Sequence, residues 1–166
     1  MEVEPATADD VEAIRAIARE SWEHDYPEIL SSESLQAGVE DWYSPERVRD
    51  AVTWARADLL VARLDGTLVG FAHAVHDFDR AEGNLLRLYV HPDHRGGGYG
   101  TALLEAVRDA QVDRGASHLR AMVLAENDPG NAFYERFGFE RVETNDVTIG
   151  GETYTENTLH LELDGE

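Results

Sequence analysis

Hydrophobic positions along the chain switch repeatedly between helical and strand-like spacing. A short strand is predicted around Val3, and a capping box formed by Thr7 and Asp10 precedes apolar residues that recur every three or four positions over residues 11–18. This spacing predicts an amphipathic first helix. Pro45 is placed to open a second helix that runs to about residue 56.

Strand signals dominate the middle and the end of the chain. The apolar runs LLVARL and TLVGFAHAVH flank Asp65-Gly66, a dipeptide suited to the positive φ angles of a type I′ hairpin turn. The runs NLLRLYVHP and HLRAMVLA predict two further strands. A second hairpin is predicted over residues 141–149 and 153–163, which meet at Gly150-Gly151.

Two more helices are predicted between these strands. One covers residues 100–114 and ends at Gly115, and the other has Asp128 as its N-cap and ends near Phe137. The order β-α-α-β-β-β-α-β-α-β-β predicts an α/β (α+β) fold with a mixed sheet and helices on both faces. We find no linker or repeat, so residues 1–166 are predicted to form a single domain.

Composition narrows the function classes. The 166 residues include no cysteine, which excludes a thiol nucleophile and thiolate metal ligands. The 34 acidic residues outnumber the 14 basic ones, all arginine, for a net charge of -20. Nucleic-acid binding is not expected because the chain offers no basic stripe for phosphates. The evenly spread acids favour a solvated, halophilic surface over a site for cationic substrates.

The N-terminal segment and the hydropathy of the chain predict its cellular location. The N-terminal segment MEVEPATADD is acidic, whereas a secretory signal begins with basic and then apolar residues. No apolar run approaches the length of a membrane span. We therefore predict a cytoplasmic protein that does not associate with membranes.

The segment HPDHRGGGYG, between a strand and a helix, predicts an anion site. Backbone N–H groups and the positive end of a helix dipole meet at such a junction. A P-loop requires a lysine, which this chain lacks, and a dinucleotide fingerprint requires a different glycine spacing. His91 and His94 do not define a metal site here, because the sequence shows no third ligand for them.

The run RGGGYG fits the remaining phosphate-binding pattern, Arg/Gln-x-x-Gly-x-Gly/Ala, at every position. In this run and in LYVHPDHRGGGYG and NDPGNAFYERFGFE, the sequence resembles the GNAT superfamily of N-acetyltransferases over residues 85–142. The resemblance implies a mostly antiparallel sheet of about seven strands and acetyl-CoA (coenzyme A) as cofactor. It also implies acetyl transfer to a primary amine, of a small molecule or a protein N-terminus, by direct attack in a ternary complex.

The resemblance assigns cofactor contacts to individual positions. Tyr89 and Val90 would offer backbone groups to the pantetheine arm and the thioester, and Asn127 would contact the pantetheine. Asn131, one helical turn later, is a further candidate. The N–H donors to the pyrophosphate would be those of Arg95, Gly96, Gly98, Tyr99, Gly100 and Thr101.

Candidates for the proton donor and the proton acceptor come from the second motif and from the strands. The resemblance makes Tyr134 the general acid for the departing thiolate, and a phenol suits that role because it is protonated at neutral pH. The alternative is a core tyrosine. Many family members carry the basic glutamate on the strand before the loop or at the strand position that Met122 occupies here, and Met122 cannot act as a base. Glu82, just upstream of the strand before the loop, is the first candidate for the general base. His76, Asp77 and Glu126 follow it. The alternative for all four is a solvated surface group.

The sequence is compatible with more than one function, acceptor and assembly. A non-catalytic acyl-CoA sensor on the same fold is the alternative function, and the acyl chain and the acceptor amine are not determined. A homodimer is also compatible with the sequence. Aromatic residues in the segment 21–57 would line the acceptor site or belong to the core: Trp22, Tyr26, Trp42 and Tyr43.

Overall fold

The computed structural model describes residues 2–54 and 56–163, apart from the side chain of Trp42. Its strands form one seven-stranded sheet in the order β1-β2-β3-β4-β5-β7-β6. The strands are β1 Glu2–Pro5, β2 Ala57–Leu64, β3 Thr67–Asp77, β4 Glu82–Val90, β5 His118–Leu124, β6 Glu140–Ile149 and β7 Glu152–Glu162. The helices are α1 Val11–Asp25, α2 Ser32–Trp42, α3 Pro45–Thr53, α4 Tyr99–Asp113 and α5 Asp128–Phe137.

The sheet is antiparallel except where β4 and β5 pair in parallel. One hydrophobic cluster packs under α4 and α5 and includes Leu103, Val107 and Leu159. A second cluster packs under α1 to α3 and includes Ile14 and Trp22. The mixed, mostly antiparallel sheet with helices on both faces is therefore confirmed.

The predicted hairpin turn and the predicted capping box are both confirmed. Asp65 and Gly66 have φ angles of 51° and 83°, as a two-residue hairpin turn between β2 and β3 requires. Thr7 and Asp10 form the predicted capping box, although the box opens a 3-10 turn that leads into α1.

Two sequence predictions about helices are wrong. Helix α2 was not predicted, because the segment between α1 and Pro45 shows polar breaks and a central Gly38. Gly38 lies against α1, where an added Cβ would come within 2.5 Å of the Trp22 ring. The N-cap of α5 is Asn127 and not Asp128, because the Asn127 side chain accepts a hydrogen bond from the Gly130 amide at 3.1 Å.

None of the helices in the described ranges combines the length and apolar character needed to span a bilayer.

Stability should increase with salt concentration. At a net charge of -20, repulsion between surface carboxylates opposes the compact state and is screened as ionic strength rises. Each ~1 kcal/mol of relieved repulsion corresponds to roughly 2–4 °C in Tm for a domain of this size. Thermal melts in dilute and in molar KCl test this, and a flat Tm would contradict it.

Candidate active site

The site begins where two parallel strands separate. Strands β4 and β5 pair from Glu82 with His118 as far as Leu85 with Ala121, but β4 continues to Val90 and β5 to Leu124. A β-bulge adds Leu86 to β4 at the point where the separation starts. The backbone of residues 86–90 therefore has no strand partner on its β5 side, and its polar groups on that side, apart from the Val90 carbonyl that accepts from Arg95, are available to a ligand.

A cavity of about 710 Å³ fills this opening. The cavity touches both hydrophobic clusters, since Phe133 and Val90 belong to the α4 side while Trp22, Tyr26 and Ile149 belong to the α1 side. It therefore passes through the sheet and has two ends on opposite faces. A volume of this order is typical of small-molecule and cofactor sites.

The α4 end of the cavity is formed by the glycine loop. Gly98 is the N-cap of α4 at φ 84°, and the first hydrogen bond of the helix runs from the Ala102 amide to the Gly98 carbonyl at 3.0 Å. The amides of Tyr99, Gly100 and Thr101 consequently have no acceptor within the helix. No acidic residue lies in this first turn, so the amides and the helix dipole favour an anion here.

Arg95 ties the loop to α1. Its guanidinium donates to both carboxylate oxygens of Asp25, at 2.5 and 2.8 Å, and its Nε donates to the Val90 carbonyl at 3.1 Å. Burial alone would raise the pKa of Asp25, but hydrogen bonds from Arg95 and His24 outweigh burial and lower the pKa. Because the Arg95 side chain is occupied, its contribution to an anion would come from the backbone.

Tyr134 lies on α5 and presents a buried phenol to the cavity. Its side chain is 9% exposed, and its hydroxyl makes no hydrogen bond to any residue in the described ranges. Burial, followed by the proximity of Tyr89, raises the pKa of Tyr134 well above its usual value. The phenol is therefore neutral at all physiological pH values and available to donate to a ligand. The Tyr89 hydroxyl, in contrast, accepts a hydrogen bond from Trp22 Nε1 at 2.8 Å.

Ten of the twelve predicted site residues line this one cavity. On the β4 strand, the loop and α4 these are Tyr89, Val90, Arg95, Gly96, Gly98, Tyr99, Gly100 and Thr101, and on α5 with its cap they are Asn127 and Tyr134. The structure thus joins the two sequence motifs into one site. Trp22 and Tyr26 also line it, Tyr43 does not, and the Trp42 side chain lies outside the described residues.

Glu82 and Asn131 do not line the cavity. Glu82 opens β4 at its far end, eight residues or roughly 25 Å of strand before Val90, where it contacts His118 Nε2 at 2.7 Å. Asn131 donates to the Leu124 and Asn127 carbonyls at 3.1 and 2.8 Å and accepts from Asn157 at 3.0 Å. These bonds give Asn131 a structural role between α5, β5 and β7.

The other residues named as bases are also outside the cavity lining. His76 is buried against Gln111, with 2.7 Å between its Nδ1 and the amide oxygen, and neither Asp77 nor Glu126 lines the cavity.

Sequence reasoning missed four charged residues of the cavity: Asp25 on α1, Arg87 on β4, Arg136 on α5 and Glu156 on β7. Arg136 is exposed and makes no ion pair or hydrogen bond within the described ranges. It follows Tyr134 by two residues in the motif whose Asn127, Asn131 and Tyr134 were assigned roles. Glu156 lies in no motif, and only the pairing of β7 with β5 brings it to the site.

This arrangement defines an acyltransferase that uses a coenzyme A thioester. Residues 55–141 match the acetyltransferase (GNAT) domain model. The chain is 31% identical over 148 residues to a spermidine N(1)-acetyltransferase of Thermoplasma acidophilum, which covers 87% of this chain and 91% of that protein. The chain therefore belongs to the GNAT family of acetyltransferases, whose cofactor is acetyl-CoA.

Solved structures agree with this assignment. The fold superposes with a TM-score of 0.86 on the PaiA N-acetyltransferase of Thermoplasma acidophilum in complex with coenzyme A, at 25% identity, covering 97% of this chain and 98% of that one. A ribosomal-protein-alanine N-acetyltransferase of Brucella melitensis superposes with a TM-score of 0.73, also at 25% identity, covering 98% and 99% of the two chains. The predicted family, fold and acyltransferase activity are confirmed.

Proposed function

We propose that this protein transfers the acetyl group of acetyl-CoA directly to a primary amine, of a small molecule or of a protein N-terminus, in a ternary complex. The observation that carries the proposal is one cavity through the sheet that joins the N-terminus of α4 to the partner-free Tyr134 hydroxyl. The domain is proposed to span residues 1–166 and to work in the cytoplasm, with a homodimer as its proposed assembly.

The cofactor would bind from the α4 side. The pyrophosphate would accept hydrogen bonds from the amides of the loop and of the first turn of α4, where Gly96 and Gly98 have no atom within 4 Å of an added Cβ. Arg136 at the cavity wall would neutralise a phosphate charge. The Asn127 side-chain oxygen is occupied by Gly130, so its NH₂ group would contact the pantetheine arm.

The acceptor would enter from the α1 side and meet the thioester where β4 and β5 separate. Attack by the amine nitrogen forms a C–N bond, and negative charge develops on the carbonyl oxygen, which a backbone N–H near Val90 would stabilise. When the C–S bond breaks, Tyr134 would donate a hydrogen bond and a proton to the sulfur. The proton given up by the amine balances this step, so the products are an N-acetyl amine and coenzyme A with its thiol restored.

Thiol release with a panel of acceptors tests the proposed function. The panel contains spermidine, a peptide with an N-terminal alanine and simple alkylamines. Spermidine and the peptide are included because one relative is a spermidine N(1)-acetyltransferase and one similar structure is a ribosomal-protein-alanine N-acetyltransferase. The panel is run in concentrated KCl because of the net charge of -20. We expect at least one amine to release thiol above the hydrolysis background, with the acetyl group recovered on nitrogen. Tight acetyl-CoA binding without amine-dependent thiol release would contradict the proposal.

A further inference from the structure

Carboxylates are scarce in this cavity despite the acidity of the chain. Of the described residues that line it, Asp25 and Glu156 carry carboxylates. Asp25 is held by the Arg95 guanidinium at both of its oxygens. Glu156 makes no hydrogen bond or ion pair to any residue in the described ranges. It is thus the lining carboxylate that no protein donor hydrogen-bonds, and a half-buried carboxylate of this kind is suited to a cationic ligand.

The strand register places Glu156 on the acceptor side of the sheet. Glu156 pairs directly with Leu124, and cross-strand partners project from the same face. Leu124 belongs to the hydrophobic cluster under α1 to α3, whereas Val123 and Leu159 belong to the cluster under α4 and α5. Glu156 therefore lies on the face opposite α4, where the cofactor phosphates would bind.

The neighbouring lining residues cannot exchange a proton with an amine. Met122 on β5 pairs with Thr158 and is the diagonal neighbour of Glu156, about 7–8 Å away between Cα atoms. Val147 and Ile149 on β6 contribute apolar walls at the same end. In this surrounding, burial raises the pKa of Glu156, although the charge of Arg120 partly opposes the shift. A raised pKa makes a carboxylate a stronger base.

We propose that Glu156 binds the ammonium group of the acceptor and takes its proton, which makes Glu156 the general base of the reaction. This inference rests on the proposed function and adds the group that prepares the nucleophile. The N–H bond of the ammonium breaks, the proton moves to a Glu156 carboxylate oxygen, and the nitrogen lone pair attacks the thioester carbon. The proton then passes to solvent, so the carboxylate is restored for the next turnover.

The Glu156→Gln variant separates this role from a structural one. For an acceptor that is an ammonium ion at the assay pH, spermidine or the best amine of the panel, we expect kcat/KM to fall about 10²-fold. For trifluoroethylamine, which is uncharged at that pH, the loss should be less than about tenfold because no ammonium has to be bound or deprotonated. The Kd for acetyl-CoA should not change. Thiol-release kinetics and calorimetry provide these values.

Glu162→Gln is the matched control, because Glu162 lies on the same strand and is exposed outside the cavity. It should keep wild-type kinetics. Near wild-type turnover of Glu156→Gln, an equal loss with both amines, or weakened acetyl-CoA binding would each overturn the assignment. If the wild-type protein acetylates no amine, the proposed function fails, and spermidine binding in the presence of coenzyme A then decides the role of Glu156. Equal binding by wild type and Glu156→Gln would overturn it.

Discussion

Tyr134→Phe should lower kcat by roughly 10²–10⁴-fold and leave the Kd for acetyl-CoA nearly unchanged. The substitution keeps the ring in the cluster under α5 and deletes the only proton that the side chain can give to the leaving sulfur. The effect should appear in kcat because the hydroxyl acts mainly after both substrates are bound. Thiol release at saturating substrates gives kcat, and titration with acetyl-CoA gives the Kd.

A melt of the same variant distinguishes catalysis from packing. The Tyr134 hydroxyl has no hydrogen-bond partner in the described ranges, so its removal should leave Tm equal or slightly raised. Tyr154→Phe is the control, because its hydroxyl accepts from the Ser31 amide at 3.2 Å and lies outside the cavity. That control should lose some stability and keep its kcat. Near wild-type turnover of Tyr134→Phe would leave the ammonium or solvent as the source of the proton.

The raised pKa of Tyr134 constrains how the proton moves. Burial makes the phenolate costly, so a complete transfer to sulfur is unfavourable unless the oxygen is reprotonated at once. The nitrogen that has just formed the amide carries such a proton. In the proposed mechanism Tyr134 would therefore act as a relay that donates to sulfur and receives a proton from nitrogen, while Glu156 would prepare the nucleophile beforehand.

The part of the site that sequence predicts is the part encoded locally. A left-handed Gly98, a helix start one residue later and an Asn127 cap depend on a few adjacent residues, so short motifs indicate them. A short motif does not indicate how far along a strand a residue lies from the site. Glu82 is close in sequence to the lining residues of β4, but an extended strand carries it away from the cavity at about 3.3 Å per residue.

Long-range packing accounts for what sequence missed. Glu156 joins the site through the pairing of β7 with β5 across more than thirty residues, and no local pattern encodes that register. Helix α2 is a similar case, because Gly38 weakens its helical signal. The structure supplies the reason for this glycine, since α2 approaches α1 so closely that a Cβ would collide with Trp22. Packing between the two consecutive helices therefore outweighs the low helix propensity of glycine here.

Gly98→Val should raise the Kd for acetyl-CoA by at least about 10²-fold. Gly98 has a φ angle of 84°, which a β-branched residue adopts only with strain, so the loop must rearrange. Rearrangement would misalign the amides that meet the pyrophosphate, and each lost hydrogen bond to a charged group costs about 1.5–3 kcal/mol. Two such losses are sufficient for the expected weakening. Calorimetric titration of the folded variant with acetyl-CoA measures it.

Gly66→Val is a closely matched control for the strain itself. Gly66 has a φ angle of 83°, and an added Cβ would meet no atom within 4 Å, as at Gly98. It lies in the turn between β2 and β3 and does not line the cavity. Both variants should therefore lose similar stability, by about 1–3 kcal/mol, but only Gly98→Val should lose cofactor affinity. Equal affinities in the two folded variants would mean that the pyrophosphate does not bind at this loop, because the same backbone strain would then have no consequence specific to the N-terminus of α4.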